Sequence, residues 1–145
     1  MVKVHISSVI EAPVARVWAL VRDFNALPAW HPVIADSRIE DDRAGVEVGC
    51  VRAFHTKDGG FIRERLLSFS DHDYAFSYSI LESPMGVDRY VAAVQLTPVT
   101  DGNRTFAQWR AEFDCAPGRE GELANFIGQA VFQAGFDALK ALVRG

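Results

Sequence analysis

The chain is 145 residues long and 49% hydrophobic, with ten Phe, three Trp and three Tyr, which suffices for one packed core and not comfortably for two. Fifteen basic residues stand against nineteen acidic ones, a net charge of −4 without clustered Lys or Arg, so a nucleic acid or an anionic membrane is an unsuitable partner. The longest uncharged stretch, Leu123–Phe136, is fourteen residues, short of the roughly twenty that cross a bilayer.

Val2 to Ile10 alternates Val2, Val4, Ile6 and Ser8 with Lys3, His5 and Ser7, the period of a strand. This opening has no continuous apolar core and no small-residue cleavage site, so it is not read as a signal peptide and a cytoplasmic location is expected. After Ala12-Pro13, the spacing of Val14, Val17, Trp18 and Val21 predicts a helix to about Asp23. Asn25 to Trp30 predicts a second short helix, with Asn25 as its cap and Pro32 preventing continuation. Turn signals at Asp41-Asp42, Asp58-Gly59-Gly60, Asp71-His72-Asp73, Pro84-Met85-Gly86 and Asp101-Gly102-Asn103 then divide alternating runs into strands at 33–40, 47–55, 61–70, 74–81, 88–97 and 104–114. Glu120 to Val143 places Leu123, Phe126, Ile127, Ala130, Val131, Ala134, Ala138 and Leu142 on one face of a long amphipathic helix. Cys50 and Cys115 lack disulfide-framework or CxxC spacing and read as buried free thiols.

Helices segregated from an antiparallel meander define an α+β class: a seven-stranded curved sheet wrapped around the C-terminal helix, as one domain over 1–145. Gly128, Gly135 and the alanines between Ala124 and Ala138 either leave a cavity under that helix or let it approach the sheet closely; composition leaves both open.

Several short motifs share an order and spacing across the chain: Ala12-Pro13 with Val17-Trp18, Asp23-Phe24, Trp30-His31-Pro32, Val48-Gly49-Cys50-Val51-Arg52, Glu64-Arg65-Leu66-Leu67, Ser77-Tyr78-Ser79-Ile80, Tyr90, Trp109 and Phe113. In these the chain resembles the START/SRPBCC helix-grip superfamily, in particular its bacterial polyketide cyclase/dehydrase-type branch, and more distantly the plant abscisic acid receptors and pollen-allergen-like proteins. The resemblance implies a helix-grip fold with an internal cavity for a small apolar or amphipathic ligand. It also implies that Glu64 and Tyr90 face that cavity, as do the matching receptor residues, and that Cys50, Arg52 and Phe54 point inward. Two departures stand against a receptor role. The loop Thr56 to Gly60 lacks the receptors' Ser-Gly-Leu-Pro core, and Ala35 replaces the lysine that holds their acidic ligand, which favours a neutral ligand.

Strand alternation sorts the remaining lining. Trp109 and Phe113 share the apolar face of the last strand, Tyr90 that of the sixth and Tyr78 that of the fifth, and strand four sets Ile62 beside Glu64. The expected ligand-binding set is Trp30, Arg52, Phe54, Ile62, Glu64, Tyr78, Tyr90, Trp109, Phe113, Phe126, Ile127, Ala130 and Ala134. The catalytic candidates are Glu64, Tyr90 and His31. Glu64 is a structural ion-pair partner of Arg52, a polar ligand anchor, or a general acid/base with a raised pKa. His31 is a proton carrier or a corner cap. No histidine pair has metal-ligand spacing near a third ligand, so neither a metal nor another cofactor is expected. The partner expected is a small hydrophobic molecule, in a polyketide-, lipid- or sterol-binding role. A cyclase/dehydrase-type enzyme and a stress-response interaction domain are the alternatives, and monomer or homodimer is left open.

Overall fold

The computed structural model describes residues 1–144. Seven strands form one antiparallel sheet: β1 (Val2–Ile10), β2 (Ile34–Ile39), β3 (Val51–Thr56), β4 (Phe61–Ser70), β5 (Ala75–Glu82), β6 (Val87–Val99) and β7 (Arg104–Cys115). Their order across the sheet is β1-β7-β6-β5-β4-β3-β2, so β2 to β7 run as a meander and the first strand closes against the last. Between β1 and β2 lie α1 (Val14–Val21), a 3₁₀ turn (Phe24–Ala26) and the one-turn α2 (Leu27–Trp30). The C-terminal helix follows β7 as α3 (Glu120–Asn125), a π-helical segment (Phe126–Gln133) and α4 (Ala134–Arg144). This is the α+β arrangement expected from the pattern and the helix-grip fold that the resemblance implies.

Strand alternation places the core where it was expected. On β7, Ala107, Trp109, Ala111 and Phe113 are buried, and on β6, Tyr90, Ala92, Val94 and Leu96. One end of the concave face is filled by aromatics: Trp18 of α1 packs on Phe69 and Phe76 with ring centroids 5.6 and 6.3 Å away, and Phe24 meets Phe76 at 6.1 Å. Trp18 Nε1 donates to Asp71 Oδ1 (2.6 Å), which also takes Arg22, tying α1 to the β4–β5 turn.

Four local expectations change. Strand β3 begins at Val51 rather than at residue 47, because 47–50 form a turn in which Cys50 N–H bonds Glu47 O and Gly49 adopts φ +95°. Asp23, not Asn25, caps the second helical turn: its Oδ1 accepts from Asn25 N–H at 2.9 Å, while Asn25 Oδ1 is buried without a partner. Cys115 is a free thiol only half-buried at the end of β7, whereas free Cys50 is fully buried. The fourth change concerns the C-terminal helix. Its buried residues start as expected at Leu123 and Ile127 but continue at Phe132, Phe136, Leu139 and Val143, while Leu142 is exposed. A π segment takes more residues per turn than an α-helix, so the inward face slips by one position from the expected Ala138 and Leu142 to Leu139 and Val143.

Candidate ligand cavity

The aromatic packing fills only one end of the concave face. At the other end, between the sheet and the π segment, lies a cavity of about 380 Å³. Its floor is Arg52 and Phe54 of β3, Ile62 and Glu64 of β4, Tyr78 and Ile80 of β5, Tyr90 of β6 and Trp109 of β7. Its roof is Phe126, Ile127, Ala130 and Val131, all from the π segment. Its mouth is edged by Pro32 and Val33 before β2, by Lys57, Asp58 and Gly60 between β3 and β4, and by Pro84 and Met85 between β5 and β6.

Polar groups line one continuous belt across the floor, one from each neighbouring strand. Arg52 and Glu64 are directly opposite in the β3–β4 register. Arg52 Nε donates to Glu64 Oε1 at 2.8 Å, Nη2 lies 2.6 Å from the same oxygen in the ion pair, and Nη1 donates to Phe24 O at 3.0 Å. The guanidinium lies 3.7 Å from the centre of the Phe24 ring and 5.0 Å from that of Tyr78, a stacked, fully enclosed site that suits a planar cation. Burial raises the Glu64 carboxyl above the usual carboxylate range, opposed by the charge and hydrogen bonds of Arg52. Both Arg52 contacts with the carboxylate fall on Oε1, and Oε2 has no protein donor among the described residues; it keeps accessible surface, and Glu64 lines the cavity. Of the three roles open to Glu64, the ion pair is therefore present, and the second oxygen remains open to the cavity.

Beside it, Trp109 Nε1 donates to the Tyr78 hydroxyl at 3.0 Å, and the Tyr78 and Tyr90 rings pack 6.5 Å apart. Burial, reinforced by the charge of Glu64, pushes both phenols up, so they remain protonated near neutrality. His31 lines the cavity wall but is engaged at both ring nitrogens. Nε2 donates to Val131 O (2.7 Å) and Nδ1 accepts from Val33 N–H (3.4 Å), the first bond fixing the tautomer. Burial is the main cause that holds its pKa below the ordinary value. The imidazole thus caps the α2–β2 corner through Val33 N–H and joins it to the π segment through Val131 O.

Three expected lining residues lie behind the wall. Phe113 stacks on Tyr90 at 5.7 Å, and the Tyr90 ring stands between it and the cavity. Trp30 packs on Trp109 at 5.9 Å beneath Gly135. Ala134 is turned aside by the π phase slip, which brings Gly135 inward in its place. A Cβ on Gly135 would come within 2.9 Å of Trp109, 3.0 Å of Trp30 and 3.1 Å of His31, so this glycine permits close approach, while Ala130 borders open space. Both readings of the small residues hold, at different positions on one helix. Phe126 is at the mouth and 49% exposed, an edge rather than an inner wall. The mouth residues from the loops had no periodic signal to reveal them. Among the described residues, no group of three or more His, Cys, Asp or Glu side chains is placed to hold a metal, and no helix is long and apolar enough to cross a membrane.

The sheet, the gripping helix and the cavity between them define a helix-grip protein. The family described as polyketide cyclase / dehydrase and lipid transport matches residues 1–144, and the chain belongs to it. The fold is similar to that of the protein XoxI from Bacillus cereus (29% identity, 98% of this chain and 95% of that chain, TM-score 0.87). It is equally similar to an uncharacterized protein from Bacillus thuringiensis (28%, 99% of each chain, TM-score 0.88) and to a protein from Thermobifida fusca (29%, 97% and 91%, TM-score 0.87). No curated protein matches.

Proposed function

We propose that this protein binds a small, largely apolar molecule in the cavity between the sheet and the π segment. The observation that carries this reading is the space itself: about 380 Å³ with an open mouth, within the range of small-molecule sites, walled mainly by aromatic and aliphatic side chains with a few convergent polar groups. A core that needed only stability would close such a space, because unfilled volume costs packing energy. Membership of a family that includes lipid transport agrees with an apolar ligand.

Trp109 supplies the test. It lines the cavity, whereas Trp18 and Trp30 do not. A panel of polyketides, flavonoids, sterols and lipids is titrated against wild type and Trp109→Phe, with emission as the readout. Saturable quenching in wild type that is lost in the variant supports the reading; a panel that leaves the wild-type emission unchanged refutes it.

The open oxygen of Glu64 supports a second reading, proton transfer to a bound polyketide-like chain in an aldol closure or dehydration. Under that reading Glu64→Gln abolishes turnover of such a substrate and spares its binding.

A further inference from the structure

The belt on the cavity floor is incomplete in a particular way. Glu64 is 6% exposed and Tyr90 4%, and both line the cavity. Glu64 Oε2 is an acceptor with no protein donor among the described residues. The two tyrosines bring two hydroxyl protons. Trp109 Nε1 spends its own proton on the Tyr78 hydroxyl, and the Tyr90 hydroxyl has no hydrogen-bond partner among the described residues and keeps accessible surface, so a phenolic O–H is left without a protein acceptor. An acceptor and a donor without protein partners thus both face the cavity, where a ligand that excludes water must supply their partners or leave them unmet at a cost.

Resting on the reading of the cavity as a ligand site, we infer that its polar end recognises a hydroxyl group on the ligand, an alcohol or a phenol, which donates to Glu64 Oε2 and accepts from the tyrosine pair. The classes it excludes follow from the same atoms. An ether, ester or ketone can accept from the tyrosine but leaves Oε2 unmet. A carboxylate offers no donor and adds a second negative charge beside Glu64. The charge of Arg52 is already balanced by Glu64, so the pair presents no net positive charge to a second carboxylate. Size sets the rest: at about 30 Å³ for each water-sized group, 380 Å³ holds on the order of a dozen non-hydrogen atoms, the bulk of a bicyclic aromatic.

Four probes of that size separate the possibilities: naphthalene, 2-methoxynaphthalene, 2-naphthol and 2-naphthoate, each titrated calorimetrically into the whole protein at pH 7.5. The expected result is that 2-naphthol binds about tenfold or more tightly than naphthalene or 2-methoxynaphthalene, and that 2-naphthoate binds most weakly. In Glu64→Gln, whose fold is checked by circular dichroism, the advantage of 2-naphthol shrinks and 2-naphthoate gains. If 2-methoxynaphthalene or 2-naphthoate binds wild type as tightly as 2-naphthol, the hydroxyl inference is overturned while the ligand-site reading stands. If none of the four binds and the fluorescence panel is also silent, the ligand-site reading falls and this inference with it.

Discussion

Replacing Arg52 by methionine keeps most of the side-chain volume and removes the cation paired with Glu64 Oε1. Arg52 is 3% exposed and Glu64 6%, so the carboxylate left behind has little water to turn to. Breaking one half of such a pair costs about 3–5 kcal/mol. The Phe24 carbonyl loses its donor, worth about 1 kcal/mol, and the stacking over the Phe24 ring goes with it. These losses overlap, since Glu64 can relieve its own by taking up a proton, so the expected total is about 4 kcal/mol. At roughly 3 °C per kcal/mol for a chain of this length, that lowers Tm by about 12 °C. Urea unfolding followed by circular dichroism measures the loss, and two controls identify its cause. Adding Glu64→Leu removes the stranded charge and restores all but about 1–2 kcal/mol. Lowering the pH from 7.5 to 5 narrows the gap between Arg52→Met and wild type, because protonation neutralises Glu64. A loss below about 1 kcal/mol in Arg52→Met, or a double variant no more stable than the single one, refutes the account of a dry, mutually dependent pair.

Further outcomes follow from other contacts. Gly135→Ala gains about 1 kcal/mol of helix propensity but pushes a methyl into Trp109, Trp30 and His31, so a net destabilisation of about 1–2 kcal/mol is expected in urea unfolding; a stabilised variant contradicts the close approach. His31 is held below its ordinary pKa, so the unfolded chain takes up the proton first. Stability is therefore full above about pH 6.5 and falls as the pH drops below it, by at most about 1.4 kcal/mol per pH unit from this group. His31→Gln should flatten the decline between pH 6.5 and 5, and an unchanged slope assigns the decline to other groups. Thr105→Val strands the buried Ala12 carbonyl, to which Thr105 Oγ1 donates at 2.8 Å, and should cost about 1–2 kcal/mol in the same assay.

The parts legible in the sequence were those governed by a period. Alternation every second residue placed Trp109, Tyr90 and Tyr78 on the concave face, and the register then brought Arg52 opposite Glu64 as the matched motifs implied. What failed depended on local backbone geometry that side-chain chemistry does not announce. Nothing in Phe126–Gln133 marks a π segment, yet it moves the inward face by one residue, exchanging Ala134 for Gly135 and Leu142 for Val143. Asp23 and Asn25 are both good caps two positions apart, and the choice between them was decided by the 3₁₀ turn. Part of the aromatic content, Trp18, Phe24, Phe69 and Phe76, packs together at the end of the concave face opposite the cavity. The cavity exists because that filling stops short of the belt formed by Arg52, Glu64, Tyr78 and Tyr90.

Methyl NMR tests the central claim most directly. With isoleucine, alanine and valine methyls labelled, titration of 2-naphthol should shift Ile62, Ile80, Ile127, Ala130 and Val131, which border the cavity from both sheet and helix. The methyls of Val17 and Val21, buried on α1 away from the cavity, should not move. Shifts confined to exposed methyls such as Val9, Val48 and Val91, or no saturable shift at all, would contradict a ligand site between the sheet and the π segment.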